Sequence, residues 1–201
     1  MAIMNVPTKA EWRTRVLRER RAVAPETKQA EAESLVAFVT SVTPAPDVGA
    51  TVCAYVPVGT EPGSTAMLDA LRDAGRRVLL PVTGAPGPLE WAEFTGQDDL
   101  VPAGYGLREP RGPVLPSTEV GAASVVLVPA LAVDEQGVRL GRGAGFYDRT
   151  LGMARPDAML VAIVRDSELV PRLPGDPHDV AMTHALTPGR GLVRLGAGDP
   201  A

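Results

Sequence analysis

The strongest constraint on how this chain folds is a set of short apolar runs with little polar alternation, at residues 51–56, 77–82, 124–129 and 158–164. A strand wet on one face alternates polar with apolar residues, whereas one buried on both faces reads as a continuous apolar run. Helix-like segments separate these runs. Ser64 stands as a cap ahead of Met67, Leu68 and Leu71, with Gly75 as the stop, and a further helical stretch follows Gly145. Strands alternating with helices predict an α/β fold with a mostly parallel sheet covered by helices.

Two helices precede the first strand. Thr8 with Glu11 forms a capping-box pattern, and Trp12 and Val16 lie one turn apart in a helix to about Ala22, which puts Lys9 and Arg13 on a shared face. Pro25 suits the first turn of the second helix, whose stripe is Leu35, Phe38, Val39 and Val42, and Pro44 and Pro46 end it. Residues 89–94 read as a more exposed strand, and residues 95–118 as a long functional or mobile loop. The 21 glycines and 20 prolines follow no repeat period, so they imply turns and loops. One domain is expected over residues 1–201, with a flexible tail over 190–201.

Several function classes drop out. The longest uncharged run, residues 120–133, contains Pro129 and falls short of the roughly 20 residues of a spanning helix. The N-terminus lacks a secretory apolar core, and Glu11 and Glu19 interrupt the acid-poor character of a transit peptide, so the expected location is cytoplasmic, away from the membrane. Cys53 is the single cysteine and reads as core; with His178 and His184 the only histidines, a thiolate-rich zinc site is excluded and any metal must sit on oxygens. A net charge of −4 argues against a nucleic-acid partner. The basic residues nevertheless cluster, between Lys9 and Lys28 and at Arg139, Arg142 and Arg149.

The second basic cluster brackets the most informative segment, residues 139–149, which follows a predicted buried strand and opens a predicted helix. Alternating Gly141, Gly143 and Gly145 let backbone N–H groups converge, and Arg139 and Arg142 add guanidinium donors, a combination suited to phosphate. The spacing is neither that of a P-loop nor that of a dinucleotide fingerprint, and a plain strand-to-helix turn is the competing reading. Asp148 beside such a cradle suits Mg²⁺, or simply pairs with an arginine. Asp176, His178 and Asp179 form a second polar cluster, which completes a metal or phosphate shell or is a solvated loop. Lys9 and Arg13 clamp phosphate or are ordinary surface. Glu61, after the first strand, contacts a ligand or caps a turn.

Residues 128–134 (VPALAVD) followed by residues 137–149 (GVRLGRGAGFYDR) resemble the signature of the 5-formyltetrahydrofolate cyclo-ligase family, also called methenyltetrahydrofolate synthetases. The Lys9 and Arg13 opening, the Glu61 turn, Leu107 with Glu109-Pro110, and the Pro177-His178-Asp179 loop follow in the family's order. The resemblance implies a three-layer α/β sandwich of the NagB/RpiA-like kind. It also implies ATP- and Mg²⁺-dependent closure of 5-formyltetrahydrofolate to 5,10-methenyltetrahydrofolate with release of ADP and phosphate, through phosphorylation of the formyl oxygen and attack by N10. By the same resemblance Lys9, Arg13, Arg139, Leu140, Gly141, Arg142, Gly143, Ala144, Gly145, Phe146 and Tyr147 bind ATP, with Arg139, Arg142 and Tyr147 catalytic.

Val56, Glu61 and the turn from Arg142 to Phe146 are implied to contact the folate, Phe146 and Tyr147 to wall its ring, and Asp148 and Asp179 to ligate Mg²⁺. Ala144 stands where many members carry glycine or lysine, and Phe146 where tyrosine is common, with Arg142 a neighbouring basic group. The expected partner is 5-formyltetrahydrofolate, with or without a polyglutamate tail, bound by a monomer or small homo-oligomer. Two other functions compete: a non-catalytic folate- or ATP-binding regulator, and a sugar-phosphate enzyme of similar fold.

Overall fold

A computed structural model describes residues 7–42, 49–84, 86–176 and 179–196. The apolar runs become strands of a central sheet. In chain order the strands are β1 (Thr51–Cys53), β2 (Arg77–Val82), β3 (Glu90–Glu93), β4 (Leu100–Pro102), β5 (Arg108–Pro110), β6 (Ala123–Pro129), β7 (Ala132–Asp134), β8 (Arg139–Leu140), β9 (Met159–Ile163), β10 (Leu169–Val170), β11 (His184–Thr187) and β12 (Gly191–Arg194). The α-helices are α1 (Lys9–Ala22), α2 (Pro25–Val39), α3 (Ala66–Asp73) and α4 (Phe146–Leu151).

The main sheet runs β12-β11-β9-β6-β1-β2-β3. Its inner pairs are parallel, and only the edge strands β3 and β12 pair antiparallel. Successive residues of β6 face opposite ways, so both faces of the sheet need apolar cover. Val125 and Leu127 join Leu35, Val39, Leu68 and Leu71 beneath α2 and α3. Val126 and Val128 join Cys53, Trp91 and Leu151 on the other side. A separate small sheet, β10-β7-β8, packs on α1 through Trp12, Val16, Leu131 and Leu140.

The α1 start is capped as its sequence predicts: Thr8 Oγ1 accepts from the Glu11 N–H, and the Glu11 carboxylate accepts from the Thr8 N–H at 2.7 Å. Further along, Arg20 is buried, and its Nε and Nη2 each donate to Glu168 at 2.7 Å. Nη2 also donates to the Ala130 carbonyl, so α1 is tied to the chain just beyond the C-terminal end of β6.

Four expectations are refined or corrected. Residues 89–94 are exposed only at Glu90 and Glu93 of edge strand β3: Trp91 and Ala92 between them are fully buried, and residue 115 bridges to Trp91 along that edge. The stretch 95–118 is not a bare loop, since β4 and β5 form a hairpin inside it. Residues from 190 are not a tail as far as Arg194, because β12 completes the sheet against β11. The N-cap of α3 is Thr65 rather than Ser64, and Ser64 serves through its carbonyl, which accepts from the Met67 N–H. Pro44, Pro46 and His178 lie outside the described residues.

This topology also places a site. From β1 the chain moves through α3 to β2 on one side, while β6 pairs with β1 on the other. Beyond the C-terminal ends of β1 and β6 the strand order therefore reverses, which opens a crevice where α/β sheets bind ligands.

Candidate active site

The glycine segment is aimed at that crevice by the β7–β8 turn. Buried Asp134 accepts N–H bonds from Gln136 and Val138 with one carboxylate oxygen and from Leu173 with the other. At Gly137, φ is +89° and a Cβ would stand 2.3 Å from the Met182 carbonyl oxygen, so only glycine fits. The chain then runs through β8 into the turn at residues 141–145, where Gly143 and Gly145 have φ of +105° and +71°.

Each glycine of the turn supports a guanidinium. Ideal Cβ atoms at Gly141, Gly143 and Gly145 would lie 2.7, 3.7 and 3.0 Å from atoms of Arg139, Arg13 and Arg149 respectively. Arg13 also donates Nε to the Gly141 carbonyl at 3.0 Å. The cationic face of α1 is thus brought onto the glycine turn. Because α4 has only six residues, these arginines rather than its dipole dominate the local positive potential.

The turn forms one wall of a cleft of about 560 Å³. The ends of β1 and β6 supply Tyr55, Val56, Pro129 and Leu131, the β2 end supplies Pro81 and Thr83, and the β4–β5 hairpin supplies Glu109. Phe146, Tyr147 and Asp148 close it from α4. Of the residues predicted from sequence, Val56, Glu61, Arg139 and the whole run 141–148 line this cleft. Arg13 reaches its edge through Gly141. Leu140 turns its side chain into the core beneath α1.

Lys9 joins the second predicted cluster, its Nζ lying 2.5 Å from Asp176 and 2.9 Å from Asp179. Burial pushes the Asp179 carboxyl up, but the Asp176 N–H, Lys9 and Arg139 together bring it below its ordinary value. Partial burial works against the Lys9 ammonium, yet Asp176 and Asp179 hold it above its ordinary value.

Arg139 also donates Nη2 to Asp148 at 2.6 Å and lies 5.7 Å from the centre of the Tyr147 ring. Asp148 and Asp179 therefore both interact electrostatically with Arg139. No three His, Cys, Asp or Glu side chains among the described residues cluster as a metal cage. Asp148 lines the arginine-rich cleft, while Asp179 stands outside its lining beside Lys9; carboxylates of this kind suit a Mg²⁺ ion that brings phosphate and water oxygens with it.

Glu61 caps a turn, one of the two roles considered from sequence, and also pairs with a cleft arginine. One oxygen accepts from the Val58 N–H at 3.0 Å and closes the turn, while the other faces Arg142 at 3.2 Å inside the cleft. The Glu61 side chain is 8% exposed and that of Arg142 52%, so the pair spans the boundary between the apolar wall and solvent.

Tyr55 and Glu109 are among the cleft residues to which the sequence reading gave no role. Tyr55 continues from β1 at the switch point, and its position at the end of a buried run was the available signal. Glu109 belongs to the quoted Glu-Pro string, yet its anchoring by the Thr83 N–H and hydroxyl at 2.8 and 2.6 Å depends on a contact 26 residues away. Cys53 is core as expected, with burial pushing its thiol far up. No helix among the described residues is long and apolar enough to cross a membrane.

Comparison with known proteins bears on this arrangement. The model of the 5-formyltetrahydrofolate cyclo-ligase family matches residues 5–188. A 5-formyltetrahydrofolate cyclo-ligase of Mycolicibacterium smegmatis is 52% identical over 197 residues, spanning 96% of this chain and 100% of the relative. That of Escherichia coli K12 is 31% identical over 179 residues, spanning 87% and 97%. In fold, the NMR structure of Aquifex aeolicus 5,10-methenyltetrahydrofolate synthetase aligns at a TM-score of 0.78 and 24% identity over 96% of this chain and 95% of its own. Since the family match runs from α1 through β11 and takes in every wall of the cleft, the chain belongs to the 5-formyltetrahydrofolate cyclo-ligase family, a family of enzymes.

Proposed function

We propose that the protein catalyses the ATP- and Mg²⁺-dependent cyclisation of 5-formyltetrahydrofolate to 5,10-methenyltetrahydrofolate. The observation that carries this reading is the cleft itself: one wall is a glycine turn overlaid by guanidinium groups, and the other is apolar with a carboxylate, Glu61, at its edge. A triphosphate suits the first wall and a pterin ring the second.

In this reading the formyl oxygen takes the γ-phosphoryl group of ATP and ADP leaves. N10 then bonds to the formyl carbon and loses its proton, and inorganic phosphate departs with the former formyl oxygen. Little covalent chemistry falls to the protein, which must align the two substrates and offset their charge. Arg13, Arg139 and Arg142 supply fixed donors for phosphate oxygens, with Lys9 extending the same cationic face. Asp148 and Asp179 would hold Mg²⁺, which supplies charge neutralisation on the triphosphate when bound. Glu61 accepts hydrogen bonds from the N–H edge of the pterin, while Val56, Phe146 and Tyr147 exclude water from the ring.

Mixing the protein with 5-formyltetrahydrofolate, ATP and Mg²⁺ tests this directly. Methenyltetrahydrofolate, followed by its near-ultraviolet absorption, and ADP should appear in equal amounts. Folded protein that binds both ligands without product would be a regulator, and failure to bind reduced folate would refute the assignment.

A further inference from the structure

We infer that Arg149 is a positioning residue, which holds the peptide joining Ala144 to Gly145 in the orientation that offers its N–H, rather than its carbonyl, to the nucleotide phosphates. The inference rests on the function proposed above and adds a residue to it. Arg149 stands on α4 outside the lining of the cleft, whereas Ala144, Gly145 and Phe146 all line it. Its Nη2 donates to the Ala144 carbonyl at 3.1 Å, and its Nε donates to the Gly87 carbonyl at 3.2 Å. The guanidinium also lies 5.5 Å from the centre of the Phe146 ring, and its Nη1 is 3.0 Å from the Cβ position of Gly145. Among the described residues no carboxylate pairs with Arg149, so its hydrogen bonds go to backbone alone.

This peptide needs a clasp because of its glycine. Gly145 sits at φ +71°, and glycine adopts either sign of φ at similar cost, so the chain itself offers little resistance to the peptide turning over. In a trans peptide the N–H points opposite to the carbonyl. With the Ala144 carbonyl drawn to Arg149, the Gly145 N–H is directed away from Arg149, and it donates to no group among the described residues. Turned over, the same peptide would put a carbonyl oxygen where that N–H stood, and an oxygen repels phosphate where an N–H attracts it. The bond to Gly87 steadies the guanidinium in turn. Gly87 lies two residues before Leu89, whose N–H donates to the Thr150 hydroxyl of α4 at 2.8 Å, so the segment ahead of β3 is itself tied to the helix.

The test compares wild type with R149M and R149K by backbone NMR relaxation, ligand-free thermal unfolding and steady-state kinetics. In R149M the order parameters of the Ala144 and Gly145 amides should drop from about 0.85 to below about 0.6. The kcat/KM for ATP should fall about tenfold, the factor a charge-assisted hydrogen bond supplies, with KM for 5-formyltetrahydrofolate little changed. R149K keeps the charge but lacks the planar fork that reaches two carbonyls, and should lose nearly as much. The thermal midpoint should stay within about 2 °C in both, because Arg149 is exposed and its bonds end on loop carbonyls. Unchanged amide order or kcat/KM for ATP in R149M, or full ATP efficiency in R149K, overturns the inference. A midpoint lowered by more than about 5 °C also overturns it, by making Arg149 a residue of stability. Wild type that makes no methenyltetrahydrofolate overturns the proposed function and the part of Arg149 in it, even where R149M loosens the turn. Relaxation needs no turnover, so the two failures read apart.

Discussion

Glu61 and Arg142, both lining the cleft, meet at 3.2 Å. Under the proposed function, phosphate oxygens would compete for the guanidinium and pterin N–H groups for the carboxylate, so a ligand on one wall would free the group required on the other. Such exchange is a coupling free energy and acts equally in both directions. Replacing Arg142 with Met should leave folate affinity without nucleotide the same or tighter, while removing the gain that a non-hydrolysable ATP analogue confers. Folate titrations with and without the analogue check this, and an unchanged gain would show that the pair does not couple the sites. Asp148 is subject to a separate expectation. Asn in its place keeps an acceptor for Arg139 Nη2, now 2.6 Å from the carboxylate, but removes the charge proposed to hold Mg²⁺. D148N should unfold at the wild-type temperature while kcat/KM for Mg²⁺-ATP falls on the order of 100-fold. Unchanged steady-state rates over a Mg²⁺ series would remove the assigned role.

At the scale of elements, the placement of Lys9 and Arg13 depends on the fixed first turn of α1. Lys9 and Arg13 follow directly on the Thr8 capping box, and Arg13 sits over Gly143. T8A removes the hydroxyl that accepts from the Glu11 N–H and should cost about 1 kcal/mol, or roughly 2–4 °C in the thermal midpoint. If the cap also steadies the cationic face, KM for ATP rises while KM for folate holds; equal changes in both would make the cap purely structural. This helix was legible because a capping box is local, and β2 was legible because an uninterrupted apolar run needs only burial to become a strand. The glycine turn could also be read, since chemistry and spacing fall within residues 139–149. By contrast, Trp91 bridges to Leu115, and Glu109 is held by Thr83. Those pairings are set by how distant segments meet, so local pattern showed neither of them. Tyr55 lay between the cases: a chain position at a strand end was visible, but its burial is a property of packing alone.

Across the whole molecule, the cleft has walls drawn from the main sheet, the small sheet and α4, with α1 at its edge, and their relative placement depends on buried charge. Arg20 of α1 and Glu168, whose side chains are 1% and 4% exposed, meet at 2.7 Å. Glu168 also accepts from the Arg165 N–H, and Arg165 donates to Glu31 of α2 at 2.7 Å. Arg20 reaches the Ala130 carbonyl beside the cleft as well. One connected network therefore joins both N-terminal helices to the segment after β9 and to the β6 end. Removing one charge strands the other in a low dielectric, whereas removing both at similar volume need not destabilise. R20M and E168M should each lower stability by about 3–5 kcal/mol, and the R20M/E168M double variant should lose less than either alone. Urea unfolding of the four proteins measures the coupling, and additive losses would show that the pair is not the unit of stability. Steady-state kinetics on the double variant then separates holding the fold together from aligning its site. If the pair also aligns α1, the stable double variant still shows a raised KM for ATP, because the Arg20 bonds to Ala130 and Glu168 that set the approach of Arg13 to the glycine turn are gone.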